Sequence, residues 1–137
     1  MIGIMSVDTG VVSRWFEEYF GSFEACARGD GDMSDLLRHF GVPLILTSDS
    51  GVTTLMTDDE AAAVMQGLID SLRANGYHHT EVLHPEISVL NAVSATYRAT
   101  LSRRDADGKE FDCPTVTFLA TDDVAGLRIN VLAVQGQ

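Results

Sequence analysis

An imidazole facing a carboxylate across a pocket can exchange protons near neutral pH, and His79 with Asp112 are the residues of this chain that could supply such a pair. His78 and His79 adjoin at the entrance of a predicted strand, where neighbouring side chains point to opposite faces, so only one of them can look inward. No spacing in the sequence ties either to Asp112, and strand packing or surface exposure is the plainer role for His78, His79 and His84. His39 closes a short predicted helix, where a cation complements the helix dipole. Cys26 and Cys113 lie far apart with no C-x-x-C pattern and no histidine at zinc-finger spacing; on a predicted helix and strand they read as small buried hydrophobes. The acidic turns 104–108 and 121–126 lack the oxygen-ligand spacing of a calcium loop. The expectation is therefore no metal and no cofactor.

Aromatic residues carry the second kind of chemistry, apolar binding. Val11, Val12, Trp15, Phe16, Tyr19, Phe20, Phe23 and Ala27 recur at three- and four-residue intervals and make a stripe too broad for a simple surface helix. Part of it must face a core, and part can face a cavity. Trp15 and Tyr19 from this stripe, Phe40 at the edge of the next short helix, and Tyr97 on a predicted strand are the candidate ligand-binding residues.

The elements that must position these groups follow in a clear order. Asp8 or Thr9 can cap the first helix, Asp32 a short second one, and Thr57 with Glu60 forms a capping box before a third, which Asn75 and Gly76 end. Between the second and third helices, Pro43 to Thr47 and Val52 to Met56 read as a hairpin around Ser48 to Gly51. From Tyr77 onward the helical period disappears, and Glu81–Val89, Asn91–Arg103, Lys109–Thr121 and Gly126–Val134 read as strands. On the second of these, Val93, Ala95, Tyr97, Ala99 and Leu101 share one face and Ser94, Thr96, Arg98 and Thr100 the other. Pro114 interrupts the third, which calls for an edge or a bulge.

Composition narrows the class. The 137 residues fit one domain, 1–137, with 1–7 as a loose N-terminal extension, and 45% hydrophobic against 21% charged residues is a globular balance. A formal net charge of -11 argues against electrostatic binding to nucleic acid or an anionic membrane, and the absence of a signal peptide or a long apolar run makes a cytoplasmic protein the expectation.

The run from Gly31 through Asp32, Leu36, Leu37 and His39 to Phe40, the helix capped at Thr57, the Asp107–Gly108 turn and the closing Gly126–Leu127–Arg128–Ile129 together resemble the nuclear transport factor 2-like superfamily, which includes ketosteroid isomerases and SnoaL-like polyketide cyclases. The resemblance spans nearly the whole chain. It implies an α+β fold of the cystatin-like kind: a cone-shaped barrel of three N-terminal helices on a strongly curved, mostly antiparallel sheet, commonly dimeric, with a pocket at its open end. It does not carry catalysis across. Ser48 stands where the isomerases place their proton-shuttling aspartate, Phe23 or Glu24 near their oxyanion-holding tyrosine, and Pro114 or Thr117 near their strand carboxylic acid. Asp49, beside Ser48, is the remaining candidate base.

Three functions are compatible with these observations. The first is a domain that binds a small hydrophobic molecule; the second is a cyclase, isomerase or dehydratase using Asp49, His79 or Asp112; the third is a structural dimerisation module with a filled interior. A homodimer through the outer face of the sheet is expected in addition, because apolar residues occupy both faces of the last strands: Val116 and Phe118 oppose Thr117 and Leu119, and Leu132 and Val134 oppose Val131 and Ala133.

Overall fold

Helix α1, Thr9–Arg28, begins where Asp8 Oδ1 accepts a hydrogen bond from the Val11 N–H at 2.8 Å, and ends at Gly29, whose φ of 89° suits a residue without a Cβ. The computed structural model describes residues 6–135. Val7, expected in a loose extension, is buried, and its N–H donates to Ala92 O at 3.0 Å; residues 1–5 of that extension lie outside the described residues. After α1 come α2 (Met33–Leu37), β1 (Phe40–Ser48), β2 (Gly51–Leu55), α3 (Asp58–Ala74), β3 (Tyr77–Asn91), β4 (Ser94–Asp105), β5 (Glu110–Asp112), β6 (Thr115–Asp123) and β7 (Gly126–Gln135). Thr57 and Glu60 form the full capping box of α3, whereas Asp32 sits at the start of α2 without a side-chain capping bond.

The strands form one seven-stranded sheet in the order β2-β1-β7-β6-β4-β3, with β5 on β4. All pairings are antiparallel except β1 on β7. The three helices pack on its curved inner side, but the sheet does not close into a barrel: β2 and β3 remain edges. The expected third long strand is two, because Cys113 and Pro114 separate β5 from β6; a proline has no N–H to give a ladder. Cys26 is buried in α1, while Cys113 lies outside the strands and is exposed, so it is not the buried strand cysteine expected.

Alternation builds the core. Ala95, Tyr97, Ala99 and Leu101 of β4 and Val116, Phe118 and Ala120 of β6 are buried, and Ala95 pairs with Ala120, Tyr97 with Phe118, and Ala99 with Val116. The two rings of Tyr97 and Phe118 thus stand side by side between the alanine pair and the Ala99–Val116 pair, where α1 packs on them. The Phe16 ring stacks on Tyr97 at 4.3 Å between centroids, and Tyr19 meets Phe118 edge-on at 5.6 Å. Full burial of a side chain such as Phe16 contributes about 1.5–3 kcal/mol. The first-helix stripe is wide because it serves both this core and the cavity beyond it.

Candidate functional site

A cavity of about 300 Å3 lies between α1, α3 and the inner faces of β4, β6 and β7. Phe20, Phe23, Met65, Leu68, Leu101 and Phe118 make most of its apolar wall, and Tyr19, Thr80, Arg103 and Asp112 are its polar members. Sheet register brings three of these four side by side: Arg103 on β4 pairs directly with Thr80 on β3 and with Asp112 on β5.

Two bulges decide who faces the cavity. On β5, Asp112 pairs with Arg103 but Glu110 pairs with Arg104, so Phe111 is an extra residue that turns Asp112 inward and Glu110 outward, although two residues apart would otherwise share a face. On β3, Tyr77 pairs with Asp105 and His79 with Arg104, leaving His78 as the extra residue. Tyr77 is therefore buried inside, while His79 faces outward beside Glu81, its Nε2 3.7 Å from Glu81 Oε2. Contrary to strict alternation, His78 and His79 also touch each other, Nδ1 to Nδ1 at 3.0 Å. His79 and Asp112 lie on opposite faces, so the structure does not assemble the proton-transfer pair considered from the sequence.

The cavity's central polar group is one the sequence reading missed. Arg103 is only 12% exposed along its side chain; its Nη1 donates to Asp112 Oδ2 at 2.9 Å, and its guanidinium carbon sits 5.9 Å from the Phe23 ring centroid. Its Nε is buried with no hydrogen-bond partner, the one such side-chain atom among the described residues. Asp112 is engaged through its other oxygen too, accepting from the Cys113 N–H at 3.1 Å. The available signal was alternation itself: Tyr97, Ala99 and Leu101 on the buried face place Arg103 next in the same row.

Tyr19 adds a second unused donor. Its hydroxyl makes no hydrogen bond among the described residues, and burial pushes its phenol well above the ordinary value, with the Arg103 charge opposing that rise. It stays protonated and able to donate. Tyr77, by contrast, is occupied: its hydroxyl lies 2.7 Å from Thr80 Oγ1, and burial pushes it up to about 12.

The other candidates are scattered. Tyr97 lines a separate, more open groove of about 570 Å3 between α1 and β3. Trp15 borders a surface hollow with Val11 and Leu127, and its ring is 7° from parallel to Tyr19 at 6.4 Å. Phe40 is buried against Tyr19 edge-on at 5.7 Å, and Asp49 sits exposed in the β1–β2 turn. His39 is buried rather than a surface cation: its Nδ1 lies 3.0 Å from Asp35 O, and burial lowers its pKa. A groove beside the β1–β2 hairpin shares Met65, Leu68, Leu132 and Val134 with the cavity, so these four side chains separate cavity from surface there. Among the described residues no group of three or more His, Cys, Asp or Glu is placed to hold a metal, and no helix is long and apolar enough to cross a membrane.

A family model described as "NTF2-like protein (DUF6841)" matches residues 8–137. The chain belongs to this NTF2-like family. Solved structures similar to this NTF2-like chain agree on the fold: a protein of unknown function with a cystatin-like fold from Nostoc punctiforme has a TM-score of 0.72 at 12% identity, over 96% of this chain and 94% of that one. An NTF-2 like protein of unknown function from Shewanella oneidensis has a TM-score of 0.67 at 16% identity, over 91% and 99%. A putative aromatic ring hydroxylase from Novosphingobium aromaticivorans has 0.64 at 11%, over 90% and 85%. No curated protein matches the chain.

Proposed function

We propose that this NTF2-like protein binds a small hydrophobic molecule in the cavity between α1, α3 and the inner sheet. The observation that carries this is the cavity itself: about 300 Å3 of largely apolar space bordered by Arg103 Nε and the Tyr19 hydroxyl, neither of which has a hydrogen-bond partner among the described residues. It is at the small end of ligand pockets, with room for a one- or two-ring molecule. An interior intended only for structure would be filled by its own side chains. Ligand-observed NMR with 1-naphthalenemethanol tests the reading. Binding is expected in the native chain and in Ile87→Ala, which alters the separate α1–β3 groove, and is expected to vanish in Leu68→Trp, which fills the cavity. Retained binding in a folded Leu68→Trp variant would move the site elsewhere.

An enzyme acting on such a molecule is the second reading, favoured by Tyr19, Arg103 and Asp112 lining one cavity. It ranks below binding because both Asp112 oxygens are already engaged. The proposal extends to a homodimer in which a second copy covers the outer sheet face, where Leu119, Val131 and Ala133 are half-buried on the side opposite the core. Sedimentation as a monomer at micromolar concentration would remove that part.

A further inference from the structure

The Arg103 guanidinium forms one hydrogen bond among the described residues, Nη1 to Asp112, and that leaves its other edge, Nε with Nη2, without an acceptor. A buried N–H left unpaired costs about 1–3 kcal/mol, and Arg103 Nε is the one buried side-chain N or O atom without a partner among the described residues. Two parallel N–H groups of a planar guanidinium match the two oxygens of a carboxylate, and a single carbonyl or hydroxyl would satisfy only one of them. Phe23 beneath the guanidinium and Asp112 at Nη1 hold the fork in place, and Tyr19 contributes a further O–H to the same cavity. Long-range steering does not help an anion here, since the chain carries a net charge of -11; recognition must come from the local fork.

We propose that the cavity recognises a monocarboxylate carried on a compact aromatic or alicyclic body, its two oxygens on the Nε–Nη2 edge of Arg103 and one of them also accepting from Tyr19. This rests on the binding reading above and adds the class of ligand. The body would lie against Phe20, Leu101 and Phe118, with Met65 and Leu68 between it and the surface groove.

Calorimetric titration of the full chain with matched pairs tests it: benzoate, 1-naphthoate and cyclohexanecarboxylate, each against its methyl ester. At least one acid is expected to bind tighter than its ester by about tenfold or more, the usual weight of a charge-assisted bidentate bond. Arg103→Lys, which keeps the charge and loses the fork, is expected to bring acid and ester to within about threefold of each other. Should that variant fail to fold by circular dichroism, the native chain still decides: acid affinity must fall as pH drops below the ligand's own ionisation while ester affinity holds. Esters binding as tightly as acids would overturn the carboxylate and leave the hydrophobic site standing. No binding of any acid, ester or 1-naphthalenemethanol would overturn both.

Discussion

Arg103 and Arg104 are neighbours in the chain and opposites in the fold. Arg104 faces outward and has partners on all three nitrogens: its Nε donates to Ser102 Oγ at 3.1 Å and lies 3.4 Å from Glu81, its Nη1 donates to Gly108 O at 2.9 Å, and its Nη2 is ion-paired with Glu110 at 3.9 Å. Ser102, fully buried, donates in turn to Glu110, and that bond is the first cause holding the Glu110 carboxyl below the usual range. Arg103 faces inward and, among the described residues, makes one hydrogen bond, to Asp112, with none at Nε. The outer cluster ties β3, β4 and β5 together, whereas the inner one leaves Arg103 Nε without an acceptor among the described residues, where the proposed ligand would supply one. Similar residue types on adjacent positions thus differ in how far their donors are met, and the proposed ligand contact falls on the less fully bonded one.

Breaking the inner pair should have the largest effect. Asp112→Ala leaves a buried guanidinium without its one partner and is expected to lower unfolding free energy by about 2–3 kcal/mol, less than a fully buried pair because Asp112 is 36% exposed. The double change Arg103→Met with Asp112→Leu removes both charges and should recover most of that loss, as urea titration would show. Glu110→Gln, which breaks up the outer cluster while keeping an acceptor for Ser102, should leave the urea midpoint near that of the native chain. If Glu110→Gln proves the more damaging, the division between the two faces is wrong.

Hydroxyls give a finer comparison. Tyr77→Phe removes the bond to Thr80 and is expected to cost about 1 kcal/mol of stability, while Tyr19→Phe removes a hydroxyl with no partner among the described residues and should change stability by less than about 0.5 kcal/mol. The order reverses for ligand affinity: Tyr19→Phe should weaken an acceptor-bearing ligand by about 0.5–1.5 kcal/mol by calorimetry.

The smallest expected effect concerns the buried histidine. Burial lowers the His39 pKa in the folded state, with Arg38 adding to the depression and the Asp35 and Leu36 carbonyls and Glu18 opposing it. The unfolded chain then binds the proton more readily, so stability falls as pH drops from about 6.5 toward the folded value and is fully present above about 6.5. Melting temperatures of native protein and His39→Phe, compared across that window, should converge or cross as pH falls.

What the sequence determined by itself was everything that depends on local periodicity and capping. The Asp8 and Thr57 caps, the 3.6-residue stripe of α1, the hairpin at Ser48–Gly51 and the alternation of Ala95, Tyr97, Ala99 and Leu101 are each written in a few neighbouring residues, and they sufficed for three helices on a curved, mostly antiparallel sheet. Tyr19 was legible as a cavity candidate from its helix stripe, whereas Asp112 was named only as a carboxylate that could oppose a histidine, with no spacing to place it. The tertiary structure alone decided which polar groups meet. A bulge adds one residue to one strand only against a particular partner, so nothing local to Phe111 or His78 announces that Asp112 turns in and His79 turns out. Nor does any local signal state that Thr80, Arg103 and Asp112, from three strands, share one row, because register is settled by packing of whole faces rather than by the residues it brings together.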